Sequence, residues 1–204
     1  MEGESPSVAA FILAGGKSTR MGADKAFVML DGRTLLVRVL ELVRSVTDDV
    51  HIVGDAAKFA AFAPVVEDVF RGCGPLGGIH AALRASAADL NLMLAVDVPF
   101  VSPELLQFLV ARASTSAAIV TVPQTAKRWQ PLCGVYRQEF ADAAENALRG
   151  GRYKIDALFE TGTTNVIGEE ELAAAGFSAD MFRNLNTPEE LAGASGMRAQ
   201  DRCR

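Results

Sequence analysis

The stretch FILAGGKSTRMGADK (residues 11–25) places three glycines and three cationic side chains directly after an apolar, strand-like run. Its GKS triplet looks like the end of a Walker phosphate-binding loop, but that motif requires a glycine at position 11, which is Phe11. The spacing of Gly15, Gly16 and Gly22 also differs from the G-x-G-x-x-G pattern of dinucleotide-binding folds. The stretch is therefore neither of these two loops.

The same stretch still predicts a phosphate site. Glycines allow the backbone to approach a ligand closely and to point its N–H groups at an anion. Lys17, Arg20 and Lys25 can neutralise a polyphosphate, the arginine through paired hydrogen bonds and the lysines as point charges. The alternative interpretation is a solvated surface loop that happens to contain glycines.

Composition limits the class of protein. The 204 residues are 50% hydrophobic and 22% charged, which is typical of a soluble globular chain and predicts one domain over residues 1–204. Its ordered core is predicted over about residues 8–194, followed by a polar C-terminal tail. The net charge of −5 argues against a partner that is a nucleic acid or an acidic membrane surface.

The N-terminus is not predicted to be a targeting segment. The N-terminal MEGESPS is acidic and lacks the apolar run of a signal peptide. No apolar stretch reaches the ~18–20 residues that a bilayer requires. The three cysteines are widely spaced and indicate neither a disulfide framework nor a metal cluster. We expect a cytoplasmic protein without a membrane partner.

Strand patterns alternate with helix patterns along the chain. Strands are predicted over 8–13, 50–53, 92–96, 118–122 and 132–136, several of them apolar on both faces. Helices are predicted after Thr34, over about 77–85, from Ser102, over about 139–148, and after Asn186. This alternation predicts an α/β fold, a three-layer α/β/α arrangement with a mainly parallel central sheet. Ligands of such sheets bind at the carboxyl ends of the strands.

Two acidic positions stand at predicted strand ends. Asp97 directly follows an apolar strand and is placed to hold Mg²⁺ against phosphate oxygens, although a turn-forming aspartate is the alternative. Asp68 precedes a glycine-rich loop that includes Gly74, and its carboxylate can accept hydrogen bonds from a base or a ribose. A flexible connection is the alternative for that loop.

Taken in order, these motifs resemble those of the molybdenum cofactor guanylyltransferases, within the MobA-like nucleotidyltransferase family. The matching segments are LAGGKSTRMGADK (13–25), ED (67–68), GPLGG (74–78), DVP (97–99), QPL (130–132) and NLNTPEE (184–190). The resemblance covers about residues 8–192. It implies a nucleotide-diphospho-sugar transferase-like, Rossmann-like fold.

The resemblance also implies roles for particular residues. The implied nucleotide-binding residues are Leu13, Ala14, Gly15, Gly16, Lys25, Asp68 and Asp97. The implied catalytic residues are Arg20, Lys25 and Asp97, with Asp97 as the ligand of Mg²⁺. The implied residues for the second substrate are Gly22, Gly74, Arg152, Asn184 and Asn186. Relatives can carry an asparagine contact near the end of the second strand, where this chain has Gly54 and Asp55.

The implied reaction transfers GMP from GTP to molybdopterin or the molybdenum cofactor, and releases pyrophosphate. The resemblance implies GTP and the pterin as substrates. Molybdenum-insertion proteins and client molybdoenzymes are further candidate partners. One alternative is a CTP-dependent cytidylyltransferase, but such relatives tend to read Leu-Ala-Ala-Gly and to lack Gly-Pro-Leu-x-Gly. The other alternative is a nucleotide-binding cofactor carrier without catalysis.

Overall fold

The computed structural model describes residues 5–15, 24–160 and 162–185. The strands in these ranges are β1 (Val8–Leu13), β2 (Met29–Leu30), β3 (Arg33–Thr34), β4 (Val50–Val53), β5 (Val65–Val66), β6 (Leu90–Ala95), β7 (Val120–Thr125), β8 (Arg128–Trp129), β9 (Cys133–Tyr136) and β10 (Thr164–Ile167). The α-helices are α1 (Leu35–Val43), α2 (Ala56–Phe59), α3 (Pro75–Ala85), α4 (Pro103–Ser114), α5 (Phe140–Arg149) and α6 (Glu169–Ala174). Short 3₁₀ turns lie at Lys25–Phe27, Ile155–Leu158 and Ala179–Phe182.

The central sheet has the strand order β10-β7-β9-β6-β1-β4-β5, with β8 paired to β7. β1 is parallel to β4 and β6, β4 to β5, and β10 to β7. β9 runs antiparallel to both of its neighbours, β6 and β7. Because β6 and β7 both oppose β9, they point the same way and end at the same edge, called here the carboxyl edge. The mainly parallel sheet is confirmed, with β9 as the reversed strand.

Two hydrophobic layers cover the faces of the sheet. Ala10 and Ile12 of β1 pack in one cluster with residues of α1 and α4, and each is 0% exposed. Phe11 and Leu13 face the opposite way and pack with residues of α3 and α5. Because successive side chains of a strand alternate between faces, one apolar strand serves both layers. The predicted three-layer arrangement is confirmed.

Two helices start where their capping residues predict. The Thr34 hydroxyl accepts a hydrogen bond from Val37 N–H at 3.3 Å at the start of α1. Ser102 does the same for Leu105 N–H at 3.3 Å at the start of α4. Side-chain oxygens at this position satisfy N–H groups that the first turn leaves unpaired. The helices in the described part of the chain are all too short or too polar to cross a lipid bilayer.

Some predicted bounds were wrong by a few residues. The strand predicted over 92–96 is β6, which runs from Leu90 to Ala95 because Leu90 and Asn91 already pair with Val8 and Ala9 of β1. The strand predicted over 118–122 is β7, which extends to Thr125 because its last residues pair with β8. The helix predicted after Asn186 lies outside the described residues.

Gly54, just after β4, is expected to be a sensitive packing position. A Cβ there would lie 2.8 Å from Cε2 of Phe59, whose side chain is 1% exposed and has little room to move. We expect Gly54→Ala to lower the free energy of unfolding by about 1–3 kcal/mol, measured by chemical denaturation. Gly168→Ala is the control, because a Cβ there meets nothing within 4 Å and its φ is −73°. Equal stabilities of the two variants would contradict this packing constraint.

Candidate functional site

The ends of four parallel strands are aligned at the carboxyl edge. The aligned residues are Ala95 of β6, Leu13 of β1, Val53 of β4 and Val66 of β5. The residue two positions after each of these is, in the same order, Asp97, Gly15, Asp55 and Asp68. With neighbouring strands about 4.8 Å apart, the row from β6 to β5 spans roughly 14 Å. It is long enough for a nucleotide lying across the strand ends.

Lys25 and Asp97 meet at the β6 end of this row. The Asp24 carboxylate accepts from Ala26 N–H at 3.2 Å and so caps the 3₁₀ turn that begins at Lys25. Lys25 Nζ lies 2.9 Å from Asp97 Oδ2, and each side chain is 18% exposed. The sequence predicted a phosphate contact and a metal ligand as separate groups, whereas the structure joins them as an ion pair. The pairing crosses 72 residues of chain and leaves no signal in local sequence.

The surroundings of Asp97 fit a magnesium ion that arrives with its ligand. Within the described residues no group of three or more His, Cys, Asp or Glu side chains could hold a metal ion by itself. Mg²⁺ is commonly bound by one or two carboxylates, with phosphate oxygens and waters completing its shell. A single part-buried carboxylate at a phosphate site matches that habit. Mg²⁺ itself stays a prediction.

The segment that carries Asn184 is tied to the same strand end. Leu185 N–H donates to the Asp97 carbonyl at 3.0 Å, and the Leu185 side chain is buried. Asn184 is exposed directly beside this contact. Two positions from the contact, the Arg183 guanidinium lies 4.8 Å from the centre of the Phe100 ring. The structure therefore brings Asn184 to the Asp97 end of the row.

Asp68 lies at the other end of the row with an unused acceptor atom. Its Oδ1 is buried and has no hydrogen-bond partner among the residues that the structure describes. A Cβ at Gly78 of α3 would lie 3.5 Å from this oxygen and 3.3 Å from both Leu13 and Val53 side-chain carbons. Burial raises the pKa of the Asp68 carboxyl, and nearby His80 opposes that shift. A buried acceptor without a donor is costly, so we expect a ligand to supply the donor.

Gly74 begins α3 close to Asp68. Its φ of 71° lies in the left-handed region that favours glycine, and Pro75 follows as the first helical residue. The N–H groups of this first turn are presented at the carboxyl edge, where β5 ends and α3 starts. Helix N-termini carry a partial positive charge that favours anions. Gly74 thus lies at the carboxyl edge near Asp68, and its role in the site stays a prediction.

Arg152 lies at the same end of the sheet. Helices α3 and α5 run antiparallel, since Arg84 late in α3 pairs with Asp142 early in α5 at 2.7 Å. Further along, His80 Nε2 is 3.5 Å from Glu145 Oε2. The end of α5 is therefore level with the start of α3. Arg152 is exposed just beyond that end, and its N–H donates to Ala147 O at 2.8 Å.

Two residues near the site have structural duties instead. The Asp55 carboxylate accepts from Ala57 N–H at 2.9 Å and caps α2. Cys133 is fully buried, and burial raises the pKa of its thiol to about 12. A thiol with such a pKa is not a nucleophile near neutral pH. Gly16, Arg20, Gly22 and Asn186 lie outside the described residues.

The β7–β8 hairpin at the same edge was not predicted. Its tip, Ala126 and Lys127, contains neither the glycine nor the asparagine that signals a two-residue hairpin in a sequence. The predicted strand also ended at Val122, short of the hairpin. The hairpin adds Lys127 and Arg128 to the carboxyl edge.

Comparison with known proteins places this site in a family. The model of the MobA-like NTP transferase domain matches residues 10–164, a span that contains the row of strand ends, the Asp68 loop and the hairpin. The chain belongs to the MobA-like NTP transferase family. It is therefore a nucleotidyltransferase, as the motifs predicted.

Relatives of known name extend the match over nearly the whole chain. The molybdenum cofactor guanylyltransferase of Desulfosudis oleivorans is 35% identical over 188 residues, 91% of this chain and 93% of that protein. A probable molybdenum cofactor guanylyltransferase of Pelotomaculum thermopropionicum is 34% identical over 193 residues, 94% of this chain and 93% of that protein.

A solved structure bears out the fold. The molybdopterin-guanine dinucleotide biosynthesis protein A of Archaeoglobus fulgidus superposes with a TM-score of 0.82 at 30% identity. The match covers 94% of this chain and 99% of that one. The predicted nucleotide-diphospho-sugar transferase-like fold is confirmed.

Proposed function

We propose that this MobA-like NTP transferase moves GMP from GTP to the phosphate of molybdopterin, forming the guanine dinucleotide cofactor and pyrophosphate. The observation that carries the proposal is the aligned row of strand ends, with the Lys25–Asp97 pair at one end and the unpartnered Asp68 oxygen at the other. A phosphate-binding end and a base-binding end are what a nucleotide requires. The names of the relatives, molybdenum cofactor guanylyltransferases, support the choice of substrates.

Asp68 favours guanine as the base. An ionised carboxylate only accepts hydrogen bonds, and it can accept two side by side. Guanine offers two adjacent donors on one edge, its N1–H and its 2-amino group, whereas cytosine and adenine present a donor beside an acceptor. The carboxylate is therefore better matched to GTP than to CTP or ATP. This match speaks against the cytidylyltransferase alternative.

The chemistry is an in-line phosphoryl displacement. An oxygen of the pterin phosphate attacks the α-phosphorus of GTP; the bond from that phosphorus to the bridging oxygen breaks, and pyrophosphate leaves. A phosphate monoester has a second pKa of about 6, so this nucleophile is already ionised near neutral pH. No side-chain nucleophile or covalent enzyme intermediate is needed. Catalysis then depends on positioning and on neutralising the phosphate charges.

The proposed roles divide this work between the two ends of the row. Lys25 neutralises the triphosphate, together with the glycine loop and Arg20. Asp97 holds Mg²⁺, which when bound supplies positive charge to the phosphate oxygens. Asp68 fixes the base, while Asn184, Asn186, Gly22, Gly74 and Arg152 serve the pterin substrate.

Calorimetry with GTP, CTP and ATP in the presence of Mg²⁺ tests the donor, and pyrophosphate release with molybdopterin tests the transfer. Preferred binding of GTP with pterin-dependent pyrophosphate release supports the proposal. Preference for CTP would move the chain to the cytidylyltransferase alternative. Binding of GTP without any transfer would identify a cofactor carrier.

Asp68→Asn is expected to weaken GTP binding by about tenfold or more, because a charge-assisted pair of hydrogen bonds is lost. Calorimetry gives the change in Kd. Glu67→Gln is the control, since Glu67 is the exposed neighbour of Asp68 and its charge is removed in the same way. An unchanged Kd for Asp68→Asn would exclude Asp68 from the nucleotide site.

Asp68→Asn is expected to stabilise the folded protein, although it weakens the binding of GTP. Because the pKa of Asp68 is raised in the folded protein, its charge costs stability above that pKa, and the cost is relieved as the pH falls through it. Asp68→Asn should therefore raise the Tm at pH 7, and the gain should shrink in acid. Thermal unfolding across pH measures both, and a gain independent of pH would contradict this cause.

A further inference from the structure

The β7–β8 hairpin lies at the carboxyl edge, at about the same height as Asp97. In the order of strands, the hairpin and Asp68 lie on opposite sides of Asp97. Val135 of β9 pairs with Leu92 of β6 on one side and with Thr121 of β7 on the other, so these two residues are level. Lys127 comes six residues after Thr121, and Asp97 five after Leu92, in strands that run the same way. Two strand spacings, roughly 10 Å, separate the hairpin tip from Asp97.

The tip of the hairpin is built in a costly backbone conformation. Ala126 has a φ of 47° and Lys127 a φ of 61°, and neither is a glycine. Two-residue hairpin turns of this kind favour asparagine and glycine, because other side chains clash with their own backbone there. A glycine at position 127 would be the more stable choice. The lysine therefore lowers the folding stability of this turn.

The tip is also held firmly in place. Ala126 N–H donates to Glu169 Oε2 at the start of α6, at 3.1 Å. The Trp129 ring packs edge-on against the Phe159 ring with centroids 5.1 Å apart. Gln130 Nε2 donates to Thr125 Oγ1 at 3.0 Å. A hairpin braced on both sides presents its side chains at a fixed place on the edge.

The β7–β8 hairpin carries two cationic side chains at and beside its tip. Lys127 and Arg128 are exposed, and within the described ranges neither forms an ion pair. The nearest acidic contact of the tip, Glu169, is engaged by the backbone of Ala126. The pair therefore offers positive charge to a ligand beside Asp97, in a chain whose overall charge is negative.

We propose that Lys127 and Arg128 bind the phosphate of the acceptor substrate and so help to determine which acceptor is used. This assignment rests on the proposed function. In that function the nucleotide lies from Asp97 across β1 and β4 towards Asp68, which leaves the β9 and β7 side beside Asp97 open for the phosphate of the acceptor. An attacking phosphate that is itself anionic must approach an anionic triphosphate, and cations on its own side reduce that repulsion.

The test compares variants in steady-state pyrophosphate release, with molybdopterin as the varied substrate and Mg²⁺ and GTP saturating. Lys127→Gly is expected to raise the KM for molybdopterin about tenfold, because one charge-assisted phosphate contact is lost. Its Kd for GTP by calorimetry should not change. Its Tm should rise by about 2–4 °C, because the backbone strain is relieved. Arg128→Gln should raise the same KM without raising the Tm.

Ala126→Gly is the matched control. It relieves strain in the same turn and keeps both cations, so its Tm should rise while its KM for molybdopterin stays at the wild-type value. Lys127→Arg should restore a KM near that of the wild type. Unchanged KM values in Lys127→Gly and Arg128→Gln, with an active wild type, overturn the hairpin assignment alone. A wild type that binds GTP but releases no pyrophosphate with molybdopterin overturns the proposed function, and this assignment with it.

Discussion

Asp97→Asn is expected to lower pyrophosphate release by about three orders of magnitude at saturating GTP and Mg²⁺, because a metal-binding carboxylate contributes several kcal/mol to phosphoryl transfer. Asparagine keeps the shape of the side chain but removes the charge that is proposed to hold Mg²⁺ and that pairs with Lys25. The Leu185 N–H contact to the Asp97 backbone is preserved, so the strand end should stay in place. Steady-state kinetics with molybdopterin measures the loss.

The control for this variant lies at the other end of the same strand. Asp89 precedes β6, and its carboxylate accepts from Ser7 N–H at 2.8 Å and from the Ser7 hydroxyl at 2.7 Å. Asp89→Asn therefore removes the same charge from the amino edge, away from the proposed site, and should leave turnover unchanged. If Asp97→Asn turned over as fast as Asp89→Asn, Asp97 would have no role in the chemistry.

Lys25→Met is expected to change two measurements in opposite directions. Turnover should fall by about a hundredfold, because the phosphates lose a charge-assisted contact in a part-buried site. Binding of Mn²⁺ to the protein without nucleotide should instead tighten by about tenfold, because a cation within 4 Å of a carboxylate opposes a second cation. Electron paramagnetic resonance of Mn²⁺ measures this affinity without any need for turnover.

A second lysine–aspartate pair supplies the control. Lys58 Nζ lies 2.8 Å from Asp24 Oδ2, and the Lys58 side chain is 50% exposed. Lys58→Met removes the lysine that pairs with Asp24, the residue before Lys25. It should leave Mn²⁺ binding and turnover close to wild type. If Lys25→Met binds Mn²⁺ no better than the wild type does, then Lys25 and the metal ion do not share Asp97.

Local pattern was enough to predict much of the fold. The bounds of β1, β4 and α1 follow from runs of apolar residues with strand or helix spacing, and Thr34 and Ser102 act through their nearest neighbours. The order of strands is different, because it depends on contacts between distant segments. The two-residue strand β5 is too short for any periodicity, and its place beside β4 appears only in the structure.

The candidate site, too, was predicted only in part from local sequence. Lys25, Asp68, Asp97 and Gly74 were predicted as chemically suited residues, because phosphate, base and metal each require particular donors or acceptors. Their arrangement was not predictable: the sequence does not show that Asp68 Oδ1 is buried without a partner, or that Lys25 meets Asp97. Burial and pairing arise from packing, which a single sequence records only indirectly.

The alignment of the four strand ends has a consequence for how donor preference can change. The group proposed to bind the base follows β5, and the groups proposed to bind the phosphates follow β1 and β6, with β4 between them. Because the two proposed tasks lie on different strands of one sheet, substitutions at and directly beside Asp68 can alter the accepted base without displacing Lys25 or Asp97. Such a layout lets one catalytic centre be inherited unchanged by enzymes that diverge in the nucleotide they consume.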